Sequence, residues 1–348
     1  MMQPTSDQWR KLYTLAGQIH DIAPWTWMEE VDVFGVTDPD SGATGFVSVM
    51  GSGGEHFGIA VYRGAEALHQ FMYIQESAEE LGPDVALEIL EVSQLQLSFE
   101  DREFVDKEDR AVIKQLGLKF RGRNAWPMFR STEPGWLPWF INADEAQFMT
   151  VALEQLLEVA PRLRSPNTFF DMLDEQRLLV RTAHTADQKL IWEDKMVHVE
   201  FTEPETIPAA IDEALFTDFQ KLPAKKLTLE VDLFNSMMPT LDKQKRPFMP
   251  YMLMLVDAKS GMIIGQSLLK PEPDLDSIWS NTANALMGQC IDALGARPAI
   301  IHVSNEYLHE VLKPFAKRSG IKIVLRDELP ALEEAVMSMM GMLGGFGF

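Results

Sequence analysis

The chain has 348 residues, 46% hydrophobic and 24% charged, with 52 acids against 31 bases and a net charge of −21. That length predicts two domains with separate cores, the apolar content excludes a wholly disordered chain, and both halves carry more acids than bases, which argues against nucleic acid or an anionic membrane as partner. The single cysteine, Cys290, cannot form an internal disulfide and points to a reducing, cytoplasmic setting, and no run of about 18 apolar residues or secretory h-region predicts a membrane span or export.

The first half opens on an amphipathic helix with Trp9, Leu12, Leu15, Ala16 and Ile19 at helical spacing, capped by Ser6 or Asp7. A β-meander follows: VDVFGVT, the turn DPDSG, ATGFVSVM, the glycine-rich GSGG, and HFGIAVYR, all alternating and rich in Val, Phe and Ile. Next come a helix over about 65–81, a strand QLQLSF, a charged stretch EDREFVDKEDR, the aromatic and proline-rich RNAWPMFRSTEPGWLPWF, and a helix over about 144–160. The first domain is therefore expected over 1–165. Residues 166–206 read as a junction holding a two-stranded ribbon, QRLLVRTAH and KLIWEDKMVHVEF, which either side could claim.

The remainder, 207–348, reads more directly. A short helix at about 208–220 precedes a strand at 226–234, and a hairpin follows, PYMLMLVD and MIIGQSLL, joined by AKSG. A helix at 275–294 carries Cys290 on its apolar stripe and stops at Gly295. The strand AIIHVS leads into a helix that Pro314 is expected to kink or restart. After Gly320 the strand IKIVLR precedes a last helix starting at Pro330. The order β-β-β-α-β-α-β-α predicts an α+β chain whose second domain is one mixed five-stranded sheet flanked by helices on both faces.

That order resembles the RNase H-like fold of ribonuclease H, retroviral-type integrases and transposases. LTLEVDLF is similar to their first strand, with Asp232 where their first catalytic aspartate sits. MLMLVDAKSGMIIGQSL resembles the second and third strands, and PAIIHVSNEYL the fourth strand and the following helix. The whole chain also resembles an uncharacterised two-domain family of bacteria and archaea, known as domains of unknown function. The RNase H-like likeness implies a pair of divalent metals held by three or four carboxylates. Here Ser304 and Asn305 stand where an acid ends the fourth strand, and Asn281 occupies the corresponding place in the helix after the third. Asp327, Glu328, Glu333 and Glu334 lie near the last helix. Asp232 alternates with Thr228 and Glu230 opposite Leu229, Val231 and Leu233, so a solvated sheet face explains it equally well.

Other chemistry is weakly signalled. GSGGEH is flanked by strands and lacks the spacing of a dinucleotide fingerprint or a P-loop, so a hairpin turn is expected. The seven histidines show no H-E-x-x-H spacing and no G-x-S-x-G occurs. Residues 111–132 hold Lys114, Lys119, Arg121, Arg123 and Arg130 without an acid, and Trp126, Trp136 and Trp139 lie within or just beyond them. Arg121, Arg123, Trp126, Arg130 and Trp136 are the candidate ligand-binding residues, for phosphate, carboxylate or an extended peptide. The six acids of residues 100–109 offer these bases internal partners instead. The Met- and Phe-rich terminus AVMSMMGMLGGFGF is a candidate protein-docking segment.

The expectation is thus a non-catalytic protein acting through binding or regulation, without a cofactor. The alternative is a Mg²⁺- or Mn²⁺-dependent nuclease or phosphoryl-transfer enzyme using Asp232 with Asp327, Glu328 or Glu334. The two part on whether three carboxylates converge.

Overall fold

A computed structural model describes residues 2–78, 82, 85–164, 177–187, 189–200, 207, 209–236, 239–240 and 246–344. They divide into two compact units, Met1–Glu133 with Pro138–Glu203, and Pro134–Leu137 with Pro204–Phe348.

In the first unit, α1 (Ser6–Ile22) begins at Thr5, whose hydroxyl accepts from the Gln8 amide while Gln8 reaches back to the Thr5 amide. This reciprocal cap needs a residue three positions on that can fold back. Gln8 answers Thr5, whereas Ser6 and Asp7 already lie inside the first turn. The meander forms as β1 (Phe34–Thr37), β2 (Thr44–Met50) and β3 (Gly58–Arg63), followed by α2 (Gly64–Glu76) and β4 (Gln94–Glu100). GSGG closes the β2–β3 hairpin, in which Met50 faces Gly58. Gly58 is required by close approach: a Cβ there would lie 2.6 Å from the Leu97 carbonyl oxygen on β4.

The charged stretch hides α3 (Lys107–Gln115), and the aromatic segment folds into β5 (Trp126–Glu133) and β6 (Trp136–Trp139), ahead of α4 (Ala143–Val159). The ribbon strands β7 (Arg177–Ala186) and β8 (Lys189–His198) join the same sheet, β7 running parallel to β1. The resulting eight-stranded order is β6-β5-β4-β3-β2-β1-β7-β8.

Both faces of this sheet are covered. Leu12, Leu15 and Ile19 of α1 and Met149, Leu153 and Leu156 of α4 bury Ile59, Val61, Leu95 and Leu97 on one side. Ala67, Leu68 and Phe71 of α2 bury Phe46, Ala60 and Tyr62 on the other. This explains why β3 is buried residue after residue rather than alternately.

The second unit holds α5 (Glu213–Lys221), β9 (Thr228–Asn235), β10 (Tyr251–Asp257), β11 (Ile263–Leu269), α6 (Asp276–Gln289), β12 (Ile300–Val303), α7 (Glu306–Ser319), β13 (Lys322–Leu325) and α8 (Pro330–Gly344). Strands β9, β10 and β11 form an antiparallel meander, while β12 and β13 add parallel to β9. The order β11-β10-β9-β12-β13 is a mixed five-stranded sheet of an α+β protein, third-second-first-fourth-fifth along the unit.

Phe219, Leu286, Cys290, Leu312 and Phe315 pack on Leu229, Val231, Leu253 and Ile301 at one face, and Leu329, Leu332 and Ala335 of α8 pack on Met252, Met254 and Val256 at the other. α7 runs unbroken through Pro314, contrary to the expected interruption. The ring removes one backbone donor, but Leu308, Val311, Leu312 and Phe315 bury on both sides of it and hold the helix as one piece.

Candidate functional site

Alternation along β9 sends Leu229, Val231 and Leu233 into the larger core and turns Thr228, Glu230, Asp232 and Phe234 to the opposite face. There Glu230 stands opposite Val256, Asp232 opposite Met254 and Phe234 opposite Met252. This face is not solvated, in contrast to the sequence expectation, because α8 lies over it. Glu230 is 4% exposed, and its Oε2 accepts a 2.8 Å hydrogen bond from the Leu332 amide in the first turn of α8. A carboxylate here satisfies an otherwise orphaned helix donor and meets the positive end of the helix dipole.

Asp232 is half-buried, and its Oδ1 accepts from the Leu233 amide at 2.8 Å. Burial pushes its carboxyl above the ordinary range, opposed by that hydrogen bond. His302 on β12 is the register neighbour of Glu230. Burial and then the Arg326 charge hold the His302 imidazole below its usual value, against the pull of Glu230.

Asp327, Glu328 and Glu334 are exposed. Among the described residues no group of three or more His, Cys, Asp or Glu side chains is placed to hold a metal ion, so Asp232, Asp327, Glu328 and Glu334 are not brought together as the metal-dependent alternative requires. The nearby asparagines serve helices: Asn305 accepts from the Leu308 amide as the cap of α7, and Asn281 donates to the Ser277 carbonyl within α6. Cys290 is fully buried, and burial pushes its thiol up to about 12, so it stays protonated in the core at neutral pH.

The raised Asp232 carboxyl gives a signed expectation. A folded-state value above the unfolded one means the native protein holds this proton to higher pH, so the ionised group costs stability at neutral pH and the cost disappears below about pH 3.9. Asp232→Asn is expected to raise stability by up to about 1 kcal/mol at pH 7. The gain should be lost on acidification, as read by urea titrations at pH 7 and pH 4.

Sequence reasoning missed Glu230. The usable signal was β10: Tyr-Met-Leu-Met-Leu-Val is apolar at every position, which implies a sheet covered on both faces.

The five candidate ligand-binding residues fall into different settings. Arg130 is 8% exposed: its guanidinium bonds Asp109 at 2.7 and 3.4 Å, Asp106 at 2.5 Å and the Phe129 carbonyl at 2.6 Å, and lies 4.6 Å from the Phe140 ring. Burial acts to lower the Arg130 pKa, but the Asp109 and Asp106 contacts outweigh it and the group stays charged. Arg130 is therefore a core ion pair, which removes it from the ligand-contacting set. Trp136 groups with the second unit, where it lies edge-on to Phe248 at 5.4 Å.

The loop after α3 keeps the rest. Arg121 is exposed, and Arg123 is 91% exposed with Nε 3.7 Å from Asp101. Trp126 is half-buried, edge-on to Phe120 at 6.0 Å, and Arg102 lies 5.7 Å from its ring centre. Asp101 shapes the loop by accepting from the Asn124 amide, while the Asn124 carbonyl meets His20 Nε2 at 3.0 Å. Among the described residues no carboxylate pairs with Lys119 or Arg121.

At the C-terminus Met339 packs against the Met252 cluster and Met337 is 68% exposed. Phe346 and Phe348, the aromatics of the docking expectation, lie outside the described residues. No helix among the described residues is long and apolar enough to cross a membrane.

A model of a domain of unknown function, DUF7309, matches residues 9–181, and a model of a second, DUF6930, matches residues 215–340. No curated protein matches the sequence. The two matches together span most of the chain, one in each structural half, so the chain is similar to two domains of unknown function in tandem, DUF7309 followed by DUF6930.

Proposed function

We propose that this protein acts by binding rather than by catalysis, in the cytoplasm, and that it takes up an anionic ligand through the loop from Lys119 to Trp126. The observation carrying this reading is that loop itself: Lys119, Arg121 and Arg123 stand exposed in a chain of net charge −21, beside an indole already approached by Arg102. Guanidinium groups offer paired donors to carboxylate or phosphate oxygens. Isothermal titration with tripolyphosphate and with hexaglutamate tests it. Saturable heat is expected with at least one, reduced at least about tenfold in affinity by Arg121→Glu with Arg123→Glu. No heat from either probe would overturn the reading.

The second domain is read as RNase H-like, supported by its third-second-first-fourth-fifth strand order with only the second strand reversed. Within that reading its acidic site is incomplete, since Asn281, Ser304 and Asn305 stand where that fold family's metal-binding carboxylates would be. One observation favours the metal-dependent alternative: Asp232 lies on the central strand β9, two residues beyond its last pairing with β12, where the sheet changes from antiparallel to parallel. Manganese-dependent cleavage of nucleic acid, abolished by Asp232→Ala, would establish that enzyme instead.

A further inference from the structure

We propose that two copies of this chain pair through β8, antiparallel about a two-fold axis at Asp194, joining their eight-stranded sheets edge to edge. β8 is the terminal strand of its sheet, ten residues long, and among the described residues nothing pairs with its outer edge. Long edge strands template further pairing unless charge or a bulge blocks them. Leu190 is 47% exposed, Ile191 45% and Val197 38%.

The occupant follows from register. In any antiparallel pair, facing residues lie on the same side of the sheet, so odd positions of β8 must meet odd positions of its copy. Centring on Asp194 places Ile191 against Val197 and Glu193 against Lys195, each twice by symmetry. Centring one residue earlier sets Glu193 against itself; one residue later sets Lys195 against itself. The Asp194 register alone among these joins apolar to apolar and acid to base.

On the opposite side of the strand, the same register brings Trp192 to Met196, two side chains packed against their own core. The facing Asp194 carboxylates are each held by Arg162 and by Arg181 of their own chain, at 2.5 Å for Arg181. Those guanidiniums hold the Asp194 carboxyl below its ordinary range, against a burial effect of opposite sign, and offset the repulsion at the axis. Glu193 also meets His184 Nδ1 at 2.7 Å across the ribbon, which orients it on the odd face.

Sedimentation equilibrium of the full chain tests this. The wild type is expected to show a monomer–dimer equilibrium. Glu193→Lys or Lys195→Glu alone should each weaken the dimer about tenfold, since two opposite-charge pairs become like-charge pairs. The double variant Glu193→Lys with Lys195→Glu should return to within about threefold of wild type, which also shows that the single variants fold. A monomer at the highest soluble concentration, a dimer indifferent to either single reversal, or a double variant as weak as the singles would each overturn the proposal.

Discussion

Replacing Asp109 by alanine is expected to lower the unfolding free energy by about 3 kcal/mol, through the charge it strands. Arg130 cannot shed its proton, and at 8% exposure water does not reach it freely. Losing the Asp109 bonds at 2.7 and 3.4 Å leaves Asp106 as its remaining carboxylate partner, and that side chain is 55% exposed. The retained contact keeps the loss at the lower end of the ~3–5 kcal/mol seen when one member of a buried pair is removed.

The reciprocal change behaves differently with pH. In wild type, burial pushes the Asp109 carboxyl above its ordinary range although Arg130 pulls it down. Arg130→Met removes that pull, so the folded-state value rises further above the unfolded one. A carboxyl with a raised native pKa gains stability on acidification. Arg130→Met should therefore be destabilised at pH 7 and recover toward pH 4, whereas Asp109→Ala, with a permanent cation buried, should not. Guanidinium titrations of both variants at the two pH values separate these outcomes; parallel behaviour would mean that the ion pair is not buried as described.

Glu230→Ala is expected to cost about 2–3 kcal/mol, combining a lost charged hydrogen bond to the Leu332 amide with the volume of a side chain only 4% exposed. Glu230→Gln keeps an oxygen acceptor and sacrifices the anion–dipole attraction, so about 1 kcal/mol or less is expected. The effect should be local as well as global. Hydrogen exchange at the Leu332 amide should accelerate in the alanine variant before the larger core opens, because Leu329 and Leu332 hold α8 on Met252 and Met254. Equal losses in the Ala and Gln variants would show that packing, rather than the cap, holds the helix.

Much of the second sheet could be read from the chain because hairpin turns and βα crossovers leave local marks. AKSG joins two strand-forming runs, Asp257 accepting from the Lys259 and Ser260 amides, and Gly295 and Gly320 end helices in the left-handed conformation. α3 was not legible, since Lys107, Glu108 and Lys114 outnumber its few buried positions and its signature residue, Asp109, is a buried acid. β5 was masked by Pro127 near its start, although Phe129 and Arg130 further along the strand are both buried on a covered sheet.

The candidate sites divide on the same ground. Residue types and spacing marked Arg121, Arg123 and Arg130 as one basic group, but only packing separates a guanidinium locked onto Asp109 from two that reach solvent. The alternation of β9 correctly put Glu230 and Asp232 on one face and could not say what covers it, because α8 arrives from about a hundred residues downstream. Local patterning thus decides element type and which side chains share a face, since both arise from neighbours along the backbone. Whether an acid on that face meets water, a metal or a helix amide depends on contacts between distant segments, and those exist only once the chain has closed upon itself.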